Sequence, residues 1–186
     1  MIDTSDFKNG MSIILDGEIY LIVEFQHVKP GKGPAFVRTR LKNLRSGSTL
    51  EKTFRAGEKM DQAILERKKM SFLYNQETDY VFMDMESYDQ TEVPAAAIGS
   101  GVKYLKDSTE VEVCSHNGRI LSVELPLSMD LEVVETDPGL RGDTASGGSK
   151  PAKVETGAVV SVPLFINVGE RIRVDTRTDT YLERVK

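Results

Sequence analysis

The chain has 186 residues, of which 39% are hydrophobic and 28% charged, a balance typical of soluble globular proteins. A single cysteine, Cys114, excludes an intrachain disulfide, and no run approaches the ~20 apolar residues of a membrane helix. The N-terminus has no basic segment followed by an apolar one, so we expect no signal peptide, no membrane partner and a cytoplasmic location.

The charge is unevenly distributed along the chain. The net charge is −5, yet residues 27–55 carry eight basic residues and a single acid, Glu51. Such a concentration indicates a local contact with a polyanion, for example nucleic acid. A solvated hairpin face with chance clustering explains the charge alone equally well.

The first strands are predicted near the N-terminus, where apolar residues recur with a period of two. Runs at 12–16 and 18–25 flank Asp16-Gly17, a strong hairpin signal. One face of the second run is predicted to carry four apolar residues: Ile19, Leu21, Val23 and Phe25.

Alternation is clearest in residues 36–42, and residues 49–54 form the next predicted strand. One face of the first of these strands is predicted to hold Val37, Thr39 and Leu41. The other face is basic and holds Arg38, Arg40 and Lys42. These cations are expected to project beside the preceding loop, which contains Lys32.

The remaining chain also favours short strands. They are predicted at residues 70–74, 80–85, 110–115, 120–125, 131–135, 154–166 and 170–177, with a weak helix at 93–105 and a long polar loop at 137–151. We therefore predict an all-β protein of three small units, residues 1–63, 64–126 and 127–186. Units of this size commonly close as small barrels, which removes exposed strand edges.

The loop Pro30-Gly31-Lys32-Gly33-Pro34 is the first candidate site. Gly31 and Gly33 allow the backbone to approach another surface closely, while Pro30 and Pro34 stiffen the base of the loop. Lys32 supplies a cation on a long stem, and its amine can be extended covalently. An ordinary hairpin tip has the same composition, so both interpretations stay open.

The polar loop at 137–151 is the second candidate, because such loops on small barrels often grip nucleic-acid backbones. A plain surface loop is the alternative. The 137–151 loop offers backbone N–H groups, hydroxyls and a positive charge, which come from Gly142, Gly147, Gly148, Thr144, Ser146, Ser149 and Lys150.

Neither a metal site nor an enzyme's catalytic group is indicated. Two histidines and one cysteine offer no zinc spacing, and acids such as Asp84 and Glu86 are interpreted as solvated strand residues. We therefore expect no cofactor, no metal and no catalytic residue.

Several longer blocks closely resemble bacterial translation elongation factor P. They occur in family order over nearly the whole chain. The blocks are HVKPGKGPAF from His27, EKTFRAGEK from Glu51, YVFMD from Tyr80, TDPGLRGDTASGGSKPAK from Thr136, ETGA from Glu155 and VPLF from Val162.

This resemblance implies an SH3-like (KOW-like) domain followed by two OB-fold domains, arranged in an L similar in shape to tRNA. It implies a monomeric, non-enzymatic factor that binds both ribosomal subunits between the peptidyl-tRNA and exit sites. Its implied task is to stimulate peptide-bond formation where consecutive prolines stall synthesis.

The resemblance also assigns roles to residues. Lys32, within the tip loop, matches the position that reaches the acceptor end of peptidyl-tRNA and is extended by a modifying enzyme in many members. Pro34 leaves open whether Lys32 is modified, and Lys32 excludes modification of an arginine. Lys29, Arg38, Arg40 and Lys42 are the expected tRNA- or rRNA-binding residues. The loop expected near messenger RNA contains Gly142, Asp143, Thr144, Ser146, Gly147 and Gly148, and the residues expected near the small subunit are Tyr181 and Arg184.

Two other functions stay open at this point. The chain can be an elongation-factor-P-like paralogue with narrower stalling targets, or a general OB-fold RNA-binding protein. Aromatic residues are only 7%, Trp is absent, and several Phe and Tyr occupy apparent core positions, which disfavours the stacking platforms of the second class.

Overall fold

The computed structural model describes residues 1–139 and 148–186, and strands form most of this part of the chain. The predicted all-β fold class is confirmed. No helix among the described residues is long and apolar enough to cross a membrane. The chain divides into two compact units, one of Met1–Arg67 with Val113–Ser122 and the other of Lys68–Glu112 with Val123–Lys186.

The first sheet has six strands in the order β1-β6-β2-β3-β4-β5. Its inward face buries an apolar cluster that includes Ile13, Ile22 and Phe54. The predicted Asp16-Gly17 hairpin is confirmed, since both residues have the positive φ that a type I′ turn requires. The strands are β1 (Ile2–Asp3), β2 (Ser12–Leu15), β3 (Glu18–Val28), β4 (Phe36–Asn43), β5 (Thr49–Arg55) and β6 (Lys59–Gln62).

The predicted apolar face of β3 is wrong for its first half. A β-bulge lies at Val23, because Ile22 pairs with Leu41 while Glu24 pairs with the next residue along, Arg40. The extra residue reverses the facing of every later side chain. Ile22 is therefore fully buried, whereas Leu21 is only half-buried. Phe25, beyond the bulge, packs against the core as predicted.

The second sheet has five strands in the order β11-β10-β7-β8-β9. The weak helix predicted at 93–105 is present as a single helical turn, α1 (Ala95–Ile98), followed by a 3-10 helix, Gly99–Tyr104. Val111 and Val113 are buried as the alternation predicted. The strands are β7 (Glu66–Gln76), β8 (Asp79–Asp84), β9 (Gln90–Pro94), β10 (Glu110–His116) and β11 (Arg119–Glu124).

The last five strands form a closed barrel in the order β12-β13-β14-β16-β15. The single strand predicted at 154–166 is wrong. A tight turn interrupts it, in which the Gly157 N–H donates to the carbonyl of Val154 and Gly157 has a φ of +90°. The barrel strands are β12 (Ser128–Thr136), β13 (Ser149–Val154), β14 (Val159–Pro163), β15 (Arg171–Asp175) and β16 (Thr180–Val185).

Candidate functional site

Lys32 lies at the tip of the long hairpin formed by β3 and β4. Val28 and Phe36 are the last paired residues of the two strands, so residues 29–35 form the loop and Lys32 is its middle residue. Residues 29–34 are all exposed. The fold therefore presents the Lys32 side chain at the end of a projecting stem.

Gly33 has a structural reason to be glycine. Its φ is +109°, a conformation that side-chain-bearing residues rarely adopt. A Cβ at Gly33 would meet only the Pro30 side chain, at 3.9 Å, and one at Gly31 would meet nothing within 4 Å. The tip is consequently slim on both sides of Lys32, which suits insertion into a crowded site.

Edge-to-face aromatic contacts stiffen the hairpin below the tip. Phe25 packs against His27 with ring centroids 5.6 Å apart, and Phe7 packs against both Phe25 and Phe54 at 6.2 and 5.7 Å. Such pairs add stabilisation beyond the burial of their area. They tie the strands of the stem to the core, so the tip has a firm base.

The predicted basic face exists, but it also carries acids. Arg38, Arg40 and Lys42 are exposed on the outer face of β4, as the alternation predicted. Glu24 lies 3.8 Å from the Arg40 guanidinium, and Glu51 is paired with Arg40 across the sheet. The three cations therefore act within a mixed surface rather than a uniformly positive one.

A shallow depression of about 440 Å³ lies on the outer side of this sheet. The Arg38 guanidinium lies over the Phe36 ring, 5.7 Å from its centroid, which orients the cation toward the tip loop. Lys29, at the start of the loop, is exposed. Lys29, Arg38, Arg40 and Lys42 together follow one strand and the adjoining loop.

The second candidate loop joins β12 and β13. Gly142, Asp143, Thr144, Ser146 and Gly147 lie outside the described residues, and Gly148 is half-buried.

Both ends of the β12–β13 connection are firmly held. The Lys150 side chain is buried, and its Nζ donates to the carbonyl of Asp137 at 2.6 Å. A Cβ at Gly139 would overlap the carbonyl oxygen of Leu164, so the backbone there passes close to the barrel.

Tyr181 and Arg184 lie on the last strand of the barrel. Tyr181 packs against the core, while the Arg184 guanidinium lies 6.0 Å from the Phe165 centroid and 3.1 Å from a Glu170 oxygen. The Asn167 N–H, followed by Arg184, lowers the pKa of Glu170. Phe165 is 59% exposed, so this aromatic residue is at the surface and not in the core.

Asp84 is a buried structural residue, whereas the sequence predicted a solvated strand residue at this position. The carboxylate is buried and accepts from the Glu86 and Ser87 N–H groups and from Lys68 Nζ. The Glu86 hydrogen bond and then Lys68 lower the pKa of Asp84 to about 2. Over residues 1–139 and 148–186, no cluster of His, Cys, Asp or Glu could hold a metal ion.

Sequence reasoning missed a polar triad beside the closed barrel. The buried Tyr104 hydroxyl donates to one Asp179 oxygen at 2.7 Å, and Lys103 Nζ donates to the other at 2.6 Å. Asp179 has a positive φ of 57°, which aspartate tolerates better than most residues. The residues are far apart in sequence, so only the fold brings them together.

Known proteins match the whole chain. Family models for the elongation factor P KOW-like domain, the elongation factor P OB domain and the elongation factor P C-terminal region match residues 3–60, 65–123 and 129–184. A protein named elongation factor P from Prochlorococcus marinus (strain MIT 9301) is 59% identical over 184 residues, which cover 99% of each chain. Another of that name, from Pelotomaculum thermopropionicum, is 55% identical over 185 residues, which cover 100% of each chain.

Solved structures of a second group are also similar. The structure of eukaryotic translation initiation factor 5A from Methanococcus jannaschii is 26% identical, with a TM-score of 0.53 over 66% of this chain and 92% of that one. A translation initiation factor eif-5a family protein from Naegleria fowleri, 17% identical, has a TM-score of 0.54 over 67% of this chain and 96% of its own. The latter supports the fold alone.

Proposed function

Because the chain belongs to the elongation factor P family of translation factors, we propose that it binds the ribosome between the peptidyl-tRNA and exit sites. There it stimulates peptide-bond formation where consecutive prolines slow synthesis. Its partners are the two ribosomal subunits, peptidyl-tRNA and messenger RNA in the exit site.

The Lys32 hairpin is the observation that carries this proposal. An exposed cation lies at the tip of a slim loop, flanked by two glycines and supported by a packed aromatic base. RNA surrounds the ribosomal catalytic centre, so a group entering it must be narrow and positively charged. Lys32 meets both requirements.

The proposed mechanism is positional. Proline is a poor nucleophile in a constrained ring, and the ribosome's own catalytic centre acts on it slowly. Lys32 contacts the acceptor end of peptidyl-tRNA and restricts it to a productive geometry, which lowers the entropic cost of attack. The protein contributes no acid, base or covalent nucleophile to the reaction.

Binding and positioning are carried by different residues. Lys29, Arg38, Arg40 and Lys42 contact phosphates of tRNA or ribosomal RNA along the stem. The β12–β13 connection, including Gly148, faces messenger RNA, and Tyr181 and Arg184 face the small subunit. A lysine-modifying enzyme that extends Lys32 would lengthen the same contact.

Synthesis of a triproline peptide in a purified translation system tests the proposal. We compare no factor, the unmodified chain, Lys32→Ala, and Lys153→Ala as a matched control, since Lys153 is exposed on β13, remote from the tip in sequence. We expect the unmodified chain and Lys153→Ala to accelerate synthesis, while Lys32→Ala fails to do so but keeps most of its ribosome affinity. Equal loss of affinity and acceleration in Lys32→Ala would contradict the positional mechanism.

If the unmodified chain is inactive, the intact mass of the native protein decides between two explanations. Added mass on Lys32 means that the modification is required. An unmodified native chain points instead to a paralogue with narrower stalling sequences, and a tripeptide series other than triproline then identifies them.

A further inference from the structure

Within residues 1–139 and 148–186, the same turn recurs in all three sheets. Its first residue is Asn43, Asp84 or Asp175, and the side-chain Oδ1 of that residue accepts the N–H groups two and three positions later. The fifth residue has a positive φ in every case. These fifth residues are Gly47 (72°), Tyr88 (64°) and Asp179 (57°).

Tyr88 is the residue that does not fit this turn. Glycine adopts a positive φ without a steric penalty, and aspartate tolerates it, but for a bulky side chain it is a true outlier. Gly47 and Tyr88 donate equivalent N–H bonds, each 2.9 Å from the carbonyl of the first turn residue. The turn therefore forms with glycine, and its geometry gives no reason for a tyrosine.

The Tyr88 side chain is also largely outside the packed interior. It is 70% exposed, and among the described residues it makes no side-chain hydrogen bond or ring contact. Asp179, at the equivalent place, uses its side chain to bind Tyr104 and Lys103. A strained, solvent-facing aromatic residue on a firmly built turn is pre-organised for contact with another molecule.

The charges beside Tyr88 indicate the partner's chemistry. Lys68 balances the buried Asp84 carboxylate, and Glu86 and Asp89 are exposed carboxylates on either side of Tyr88. The exposed Lys69 lies on the neighbouring strand, where its carbonyl accepts from the Met85 N–H, so the acidic character is confined to the turn itself. Met85, 39% exposed, adds apolar surface. Carboxylates repel RNA phosphates and attract arginine and lysine, and an arginine guanidinium also stacks well on a tyrosine ring.

We propose that the turn Asp84–Asp89 docks on an arginine-rich protein surface of the ribosome, with Tyr88 as the central contact. This inference rests on the proposed function, since it assigns a second docking point to the same complex. The strained turn between β8 and β9 would make its own contact with the ribosome, separate from the contact made by the Lys32 hairpin.

Tyr88→Asn removes the ring and places a residue that tolerates positive φ at its position. We expect the dissociation constant for purified 70S ribosomes to rise at least about tenfold, as for other central aromatic contacts. We also expect the midpoint of thermal unfolding to rise by about 2–4 °C as strain is relieved. Tyr88→Phe should bind like the wild type, and so should Tyr74→Asn, which removes a half-exposed tyrosine on β7.

This pairing of greater stability with weaker binding separates docking from a structural role. A less stable Tyr88→Asn variant would mean that the ring packs in the fold, and unchanged affinity would mean that it contacts nothing. Either result overturns the inference. If the wild type itself fails to bind ribosomes, the proposed function fails as well.

Charge reversal distinguishes a protein partner from RNA. Glu86→Lys should weaken binding to an arginine-rich surface, whereas it would strengthen binding to phosphates. A photo-crosslinking phenylalanine analogue at position 88 should give an adduct on purified ribosomes that resists ribonuclease. Tighter binding of Glu86→Lys, or a ribonuclease-sensitive adduct, would overturn the inference.

Discussion

Tyr104→Phe is the sharpest test of the contacts around the closed barrel, because it removes one oxygen atom from a well-defined site. The Tyr104 side chain is fully buried in the barrel's apolar cluster, and its hydroxyl donates to Asp179 at 2.7 Å. Phenylalanine keeps the ring and its packing. The substitution therefore isolates the hydrogen bond from the burial that surrounds it.

The size of the loss follows from the partner's exposure. A hydrogen bond to a charged group contributes roughly 1.5–3 kcal/mol net. The Asp179 side chain is 44% exposed and keeps its bond to Lys103, so water and lysine satisfy the carboxylate after the substitution. We expect a loss near the lower end, about 1–2 kcal/mol in the free energy of unfolding, measured by urea denaturation with circular dichroism at an unchanged m-value.

The pH dependence identifies the cause of this loss. Burial, and then the hydrogen bond and charge of Asp179, raise the pKa of Tyr104 above its ordinary value. The folded protein thus keeps a proton that the unfolded chain releases above pH ~10. This contribution is complete below pH ~10 and is lost as the pH rises toward the folded-state pKa.

The stability gap between wild type and Tyr104→Phe should therefore narrow as the pH rises beyond ~10. Tyr74→Phe, at a half-exposed position, is the control and should match the wild type in stability at pH 7. Equal stability of wild type and Tyr104→Phe at pH 7, or a gap that stays constant above pH 10, would refute the reasoning.

Two further predictions concern the first sheet. Phe54→Ala removes a buried ring that packs against Phe7. We expect the free energy of unfolding, measured by urea titration, to fall by about 3–5 kcal/mol. A loss below about 1 kcal/mol would contradict this, because it would mean that neighbouring side chains fill the space left by the ring. Arg38→Glu should weaken ribosome binding and reduce its salt dependence, since one phosphate contact is lost. Lys59→Glu, at an exposed position on β6, is the control. Unchanged affinity of Arg38→Glu at low salt would contradict the phosphate contact.

Local chemistry made much of the fold predictable. Asp-Gly and Asn-Gly pairs specify type I′ hairpins, and Asp16, Gly17, Asn117 and Gly118 all have the required positive φ. The alternation in β4 is equally direct, because one face must be apolar for the sheet to bury it. These features depend on neighbours in sequence, which is the information that a single chain supplies.

Features that depend on distant residues were not predictable in the same way. The bulge at Val23 is defined by the pairing of β3 with β4, and nothing in the run Glu18–Phe25 marks the extra residue. Lys150 lies in a polar, glycine-rich segment, yet its side chain is buried against the carbonyl of Asp137. Lysine is rarely buried in proteins, and the composition of this segment gives no sign that Lys150 is an exception.

The candidate site shows the same division. The position of Lys32 at a hairpin tip followed from two glycines and two prolines, and the structure has it there. The carboxylate beside Arg40 belongs to Glu24 on the neighbouring strand, so the mixed charge of that face required the register. Sequence counts of basic residues therefore overstate how positive the surface is.

The three matching turns show how sequence and structure together reveal what neither shows alone. The segments NLRSGS, DMESYD and DTRTDT share only an Asn or Asp at the start and a Ser or Thr in the fourth place. Their common geometry becomes visible once the fifth residue is found at positive φ in all three. Gly47 favours that conformation and Asp179 tolerates it, and Asp179 also binds Tyr104 through its side chain. Tyr88 has neither ground, and its strained, exposed ring is the reason for proposing a contact with another molecule.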